Sequence, residues 1–366
     1  MSLRLLTGGE SHGPALVVVL DGLPAGIPVT EEGVNLQLAR RQKGYGRGTR
    51  MEIEEDRACF VSGVRLGLTS GGPVALYIQN RDHENWAEVM RAFAGTYPVS
   101  RETRPRPGHG DLAGMLKAGS RDARDVLERA SARETAARVA AGALAGMLLS
   151  ELGISVASRV VAVGGIHARV MEADPRSFAA AEGDPLRCAD PEASVLMREA
   201  VDRAAAEGDT LGGVFEVAAF GMVPGLGSFS QADRRLDGRL FAALASIPAV
   251  KGVEAGDGFA LAARRGSCAH DEIFFEPGRG ARRKTNRAGG MEAGMSNGEV
   301  LLLRAAMKPI PTLVRSLATV DVDTGEPAEA MKERADVCAV PSAAVVAEAV
   351  VRLVLADAAL EKFGGD

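Results

Sequence analysis

Two histidines in this chain are each enclosed by glycine and a polar neighbour. His12 stands in the stretch Gly9-Glu10-Ser11-His12-Gly13, and His109 in Gly108-His109-Gly110-Asp111. Imidazole gives or accepts a proton near neutral pH, and glycine lets backbone approach a ligand closely. A lone histidine is more often structural, but two of the five histidines in such settings shift the reading toward acid/base chemistry. Cationic groups gather nearby in sequence. Arg129 and Arg133 flank Ser131 at the start of a helical pattern, where backbone N–H groups and the helix dipole favour an anion. Arg40, Arg41, Lys43, Arg47 and Arg50 have no acidic residue among them, and Arg282, Arg283, Lys284 and Arg287 form a second knot. Such clusters suit pockets for small anions, with solvated surface charge as the competing reading. Lys308 precedes two prolines in "MKPIPT", a rigid path that could lie against a flat ring or form an edge strand. Arg334 and Asp336 sit within an apolar stretch, where a charged pair is either structural or catalytic. Together these residues describe a pocket for a small polyanion.

Other chemistries find no support. There is no GxxxxGK[ST] loop, no GxGxxG fingerprint and no HExxH, since Asn85, Trp86 and Ala87 follow His83-Glu84. His83 and His270 read as loop or hydrogen-bonding residues. The four cysteines (Cys59, Cys188, Cys268, Cys338) are scattered without a CxxC pair and read as buried reduced thiols. A net charge of -5 argues against general nucleic-acid binding. Apolar runs such as "ALVVVL" are too short to span a membrane, and the start lacks a signal peptide's long apolar centre, so a cytoplasmic protein is expected.

The elements that must position these groups are partly legible. A chain of 366 residues, 46% apolar, can bury a substantial core, and no linker or repeat divides it, so residues 1–366 read as one domain. Thr30 is a plausible N-cap for "EEGVNLQLARRQ". "SARETAARVAAGALAGMLLSELG" has apolar residues at helical spacing, with Ser131 and Glu134 at capping-box distance. A last helix, "SAAVVAEAVVRLVLADAALEKFGG", starts at Ser342 and stops at Gly364. Strand-like runs at 15–23, 157–167, 212–223 and 299–307 lie among them. The mixed alternation predicts an α+β fold rather than a doubly wound parallel sheet.

Taken in order, "GESHG", "RRQKGYGR", "NRDHENW", "RPGHGD", "DVLERASARETAARVA", "GDTLGG", "SIPAVKGVE", "KTNRAGG", "MKPIPT" and "RADVCAVP" resemble the chorismate synthase family, from about residue 7 to residue 341. The resemblance implies a phosphate lyase of the shikimate pathway. Such an enzyme converts 5-enolpyruvylshikimate 3-phosphate to chorismate by anti 1,4-elimination of the C3 phosphate and a C6 proton. It requires reduced FMN with no net redox change: transient electron donation helps expel phosphate and makes the C6 hydrogen more acidic, and the electron then returns.

The resemblance also implies roles. His12 protonates the leaving phosphate, His109 protonates or stabilises the reduced flavin, and Asp336 helps remove the C6 proton. Arg41, Arg47, Arg133 and Ser11 bind substrate anions. Arg129, Ala130, Ser131, Pro248, Ala249, Ala293, Lys308, Pro309, Ile310, Pro311, Thr312 and Arg334 contact flavin. The fold implied is a β-α-β sandwich of two antiparallel four-stranded sheets with helices, assembled as a homotetramer. Gly9 and Gly110 depart from the family pattern, replacing larger residues in changes expected to loosen their loops. With no extra nucleotide-binding segment, NADPH is expected to act only indirectly, through an external flavin reductase. The competing readings are an NADPH-dependent flavin reductase using the same pocket, and an RNA-associated protein, which the acidic balance disfavours.

Overall fold

The computed structural model describes residues 3–48, 54–93, 95, 99–169, 172–278, 280–332 and 336–364. Four strands, β1 (Arg4–Gly8), β2 (Ala15–Asp21), β3 (Ala58–Ser62) and β4 (Val74–Gln79), pair antiparallel in the order β1-β2-β4-β3. Alternation along β2 buries Leu16, Val18 and Leu20, which stand in register with Ile78, Leu76 and Val74. That gives the sheet one apolar face.

Helix α1 (Glu31–Gln42) follows β2 and begins as expected, with Thr30 Oγ1 accepting from Gly33 N at 3.1 Å. Two short helices, α2 (Asp111–Ala118) and α3 (Arg124–Ala130), lead into α4 (Thr135–Glu151). The second sheet comprises β5 (Ser155–Val163), β6 (Ile166–His167), β7 (Gly213–Phe220), β8 (Val250–Ala255) and β9 (Leu301–Met307), antiparallel in the order β8-β9-β7-β5-β6. It therefore has five strands where the resemblance implied four, because the chain turns back after Val163 and adds a two-residue edge. Helices α5 (Pro175–Glu182), α6 (Pro191–Glu207) and α7 (Leu236–Ala245) lie between these strands in sequence, and α8 (Val340–Phe363) ends the described chain.

Helix α4 packs on β1, β2 and β4, while α8 packs on β5 and β7 and against α4. Small residues let the two helices meet: a Cβ on Gly142 would lie 2.4 Å from the Ala349 Cβ and 2.7 Å from its carbonyl oxygen. The apolar stripes of both helices are nearly continuous, so what breaks them is informative. Glu348 is fully buried, and its carboxylate accepts from Arg40 (2.7 and 2.9 Å), Arg352 (2.9 Å), Arg187 (3.2 Å) and Ser158 Oγ (2.7 Å). Burial pushes its pKa up, but the charges and hydrogen bonds of Arg352, Arg40 and Arg187 outweigh that and hold it below the ordinary range.

Several expectations are corrected here. Ser131 caps a 3-10 turn, Ala132–Glu134, instead of α4 itself, and Glu134 turns forward to Arg138 rather than closing a capping box. The last helix starts two residues before Ser342, whose hydroxyl donates to the Arg41 carbonyl at 2.9 Å. Cys188 and Cys338 are buried, whereas Cys59 and Cys268 are exposed. The basic knot at 282–287 is no anion pocket: Arg282, Arg283, Lys284 and Arg287 each face an acid, respectively Glu299, Glu292, Glu272 and Asp257. Gly9 does not loosen its loop. With φ of 94° and its ideal Cβ position 2.2 Å from the Ala15 carbonyl oxygen, the backbone there admits no side chain.

Candidate active site

The stretch from α3 to the first turn of α4 carries Arg129, Ser131 and Arg133 and gathers His12, Ser11 and Arg41 around it. At its start, Glu128 grips the His12 loop from three directions. The His12 backbone N–H donates to Glu128 Oε2 at 2.9 Å, the His12 Nδ1 lies 2.9 and 3.0 Å from the two carboxylate oxygens, and Ser11 N–H donates to the Glu128 carbonyl at 2.9 Å. Arg124, one helical turn earlier, donates to Glu128 Oε1 at 3.0 Å. Burial raises the Glu128 pKa, but the His12 hydrogen bond and charge, with Arg124, hold it below the usual carboxylate range. The His12 ring lies against Trp86, centroids 4.3 Å apart, and Arg124 covers the same indole at 5.0 Å. His83 Nδ1–H donates to the His12 carbonyl at 2.8 Å, as befits its reading as a hydrogen-bonding residue.

Farther along, Arg129 donates to the carbonyls of Gly9 and Thr7, both at 3.0 Å, and Ser131 Oγ donates to Ser11 Oγ at 3.2 Å. Arg133 donates from Nε to Asn80 Oδ1 at 2.9 Å and from Nη1 to Asp56 Oδ1 at 2.5 Å. Asn80 in turn donates to the carbonyls of Gly13 and Glu10, at 2.7 and 3.0 Å. Arg41, at the end of α1, reaches the other Asp56 oxygen at 3.2 Å and Thr135 Oγ1 at 3.0 Å. Burial pushes the Arg41 pKa down to about 10; Asp56 and Asp336 oppose this, while Arg133 and Arg47 add to it. Those four charged groups are therefore near enough to act on one guanidinium. Arg47 Nη1 donates to Asp336 Oδ2 at 2.5 Å, and Gly48 N–H to Asp336 Oδ1 at 2.7 Å. Asp336 thus pairs with Arg47; Arg334 lies outside the described residues.

The second histidine is held by a parallel device. His109 Nδ1 contacts Asp111, a fully buried carboxylate that also accepts from Arg106 N and Nε at 3.0 and 2.9 Å. Burial works to raise the Asp111 pKa, but His109 and Arg106 hold it well below the usual range. Arg106 Nη1 donates to Thr312 Oγ1 at 3.1 Å, Lys308 Nζ donates to the Gly108 carbonyl, and a Cβ on Gly108 would sit 3.3 Å from the Pro311 Cβ. The loop bearing His109 is therefore laid along Lys308, Pro309, Ile310, Pro311 and Thr312, which is neither strand nor helix. Lys308 N–H donates to the Ala249 carbonyl at 2.9 Å, bringing Pro248 and Ala249 to the same wall. A Cβ on Gly110 would lie 3.9 Å from the Ala130 Cβ, which joins this wall to the end of α3. Ala293 is set apart: it forms an exposed turn, φ 50°, beside Ser228 and the start of α7, with no described contact to the other site residues.

Residues 3–360 match the family described as Chorismate synthase. The chain belongs to the chorismate synthase family. It is 58% identical to the chorismate synthase of Desulforudis audaxviator, covering 100% of this chain and 94% of that one. It is 55% identical to that of Thermus thermophilus, over 100% and 95% of the two chains. A solved chorismate synthase crystal structure, 42% identical, superposes with a TM-score of 0.80 over 100% of this chain and 94% of that one. The chain is thus a lyase of aromatic amino-acid biosynthesis, acting in the shikimate pathway. The flavin reductase reading is not favoured. No helix among the described residues is long and apolar enough to cross a membrane, and no group of three or more His, Cys, Asp or Glu there is placed to hold a metal.

Sequence reasoning missed the residues that orient the reactive ones: Glu128, Asp56, Asn80, Trp86 and Arg106. Glu128 and Trp86 fall inside two of the longer recognised motifs. Asn80 opens the same motif as Trp86, and Arg106 opens RPGHGD, whereas Asp56 lay in no recognised motif, because only folding brings it to the arginines.

Proposed function

We propose that this chain forms chorismate in a pocket built around residues 124–135, with His12 delivering a proton to the departing phosphate. The observation that carries this reading is the convergence on that stretch: Glu128 holds His12, Ser131 touches Ser11, Arg133 reaches Asp56, and Thr135 meets Arg41. Arg41, Arg133 and Arg47 offer planar forked donors to phosphate and carboxylates. Asp336 is the base for the C6 proton. Its pairing with Arg47 means that a substrate anion drawing Arg47 away exposes the carboxylate at the moment it is needed.

The wall of Lys308–Thr312 and Pro248–Ala249, with the His109 loop against it, fits a planar ring, and Lys308 and Arg129 bring positive charge for a flavin phosphate. Reduced FMN, when bound, supplies the transient electron density that weakens the C3–O bond. His109 holds a proton at the flavin's edge, kept in place by Asp111. We assign Ala130, Ser131, Ala293 and Arg334 to flavin contact on family grounds. We take residues 1–366 as one domain with the family's helix-filled sandwich, acting as a cytoplasmic homotetramer that receives reduced flavin from an external reductase.

The test is to mix the protein with 5-enolpyruvylshikimate 3-phosphate and chemically reduced FMN without oxygen, and to follow chorismate absorbance and inorganic phosphate. Equal amounts of both are expected, and neither product would refute the reading. His12→Ala and His109→Ala should each slow the chemical step about a hundredfold or more. NADPH with oxidised FMN should give no turnover under the same conditions, and chorismate formed there would overturn the external-reductant assignment.

A further inference from the structure

We propose that Glu128 is the positioning residue for His12, fixing which ring nitrogen faces the substrate and doing so in both protonation states of the ring. The inference rests on the function proposed above and deepens it. A carboxylate can only accept, so the His12 nitrogen within 2.9 Å of Glu128 Oε2 must be the one carrying hydrogen, Nδ1–H. The neutral ring then has its lone pair on Nε2, and the protonated ring donates from Nε2. Among the described residues, no protein group hydrogen-bonds that nitrogen.

The surroundings leave the ring little freedom. Glu128 Oε2 also takes the His12 backbone N–H at 2.9 Å, and His83 holds the His12 carbonyl at 2.8 Å, so both sides of the residue are tied. Trp86 covers one face of the imidazole. The charged and titratable groups around it are Arg124 and Glu128 from α3, His83 from the 83–86 turn, and Glu10, whose carboxylate lies beside Gly13. Arg124 donates to Glu128 at 3.0 Å and so helps keep the carboxylate ionised.

The proton step is then simple. The Nε2–H bond of the imidazolium breaks as an O–H bond forms on the departing phosphate. The C3–O electron pair leaves with the phosphate, the C6 proton passes to Asp336 while its C–H electron pair becomes the new ring unsaturation, and the imidazole becomes neutral in the tautomer that Glu128 already holds. No tautomer exchange is needed before the next turnover. Without Glu128, the neutral ring divides between two tautomers, and the imidazolium loses the acceptor that aims its Nε2–H at the substrate.

The experiment compares wild type with Glu128→Gln. Nitrogen-15 NMR of histidine-labelled, substrate-free protein should find the hydrogen of neutral His12 on Nδ1 in wild type, with that preference lost in the variant. Turnover should lose about a hundredfold in kcat, with KM for 5-enolpyruvylshikimate 3-phosphate changed less than about threefold. Wild-type failure to form chorismate would sink the functional reading and leave the tautomer result standing. A wild-type kcat and an unchanged tautomer preference in Glu128→Gln would sink the positioning role instead. Should the variant not fold, a wild-type ring with its hydrogen on Nε2 overturns the proposal by itself.

Discussion

Asp56→Ala should destabilise the protein through the arginines it leaves behind. Asp56, Arg41 and Arg133 are 3%, 4% and 5% exposed, and one carboxylate serves both cations, at 3.2 Å to Arg41 and 2.5 Å to Arg133. At an effective dielectric of about 20, a charge pair at about 3 Å attracts by roughly 5 kcal/mol before desolvation is charged against it. Removing the acid forfeits both contacts and leaves the guanidinium groups to repel each other. Arg41 keeps Thr135 and the Ala132 carbonyl; Arg133 keeps Asn80, with Glu54 at 3.6 Å. Those remaining partners cap the loss near the usual figure for breaking a buried pair, about 3–5 kcal/mol. That is about a fifth or more of a typical total of about 5–15 kcal/mol. Urea unfolding at pH 7 is the assay. With a slope of about 3 kcal/mol/M, the midpoint should fall by about 1 M or slightly more. Sulfate or phosphate should restore the variant more than it helps wild type, since a dianion can take the missing counter-charge. A midpoint within about 0.2 M of wild type would refute the reasoning, because it would mean the two arginines do not depend on Asp56.

Acid should weaken the fold through its depressed carboxyls. Glu348, Glu128, Asp111 and Glu182, the last held at about 2, all titrate lower in the folded state than their ordinary values of 4.5 or 3.8. The unfolded chain therefore binds their protons first, and the stability they contribute is complete above about pH 5 and is lost as pH falls below it. Urea midpoints should be level from pH 7 to 6 and drop steeply below about 4.5; a midpoint that rose on acidification would contradict this. Gly142→Leu should cost at least about 3 kcal/mol, at the upper end of overpacking penalties, because its Cβ would start 2.4 Å from that of Ala349, read as a lowered thermal midpoint.

How much of this was legible beforehand follows the range of the interactions involved. The helix after Thr30 and the strands at 15–21, 213–220 and 301–307 depend on local periodicity and capping, and sequence reveals both. Ser131 misled because the helical pattern begins one turn before the α-helix, in a 3-10 turn whose hydrogen-bonding the pattern does not distinguish. The reactive groups stood out by type: histidines among glycines, arginines in a run. Their orienting partners did not. Arg40 and Arg41 are adjacent, yet one goes to Glu182 and Glu348 and the other to Asp56, a division set by the two sides of α1 and by residues distant in sequence. The two histidine–carboxylate pairs differ likewise, since Asp111 is two residues from His109 and was noticed, whereas Glu128 is far along the chain from His12 and was not.

The run from Arg124 to Thr135 has a further consequence for how activity is lost. Because one short stretch anchors the first histidine and both innermost arginines, its transient opening would dismantle the His12 and Arg41–Arg133 subsites in a single event. Amide exchange there would then report the fraction of molecules competent to react. Gentle heating should abolish turnover as one cooperative step, well before the surrounding sheets melt.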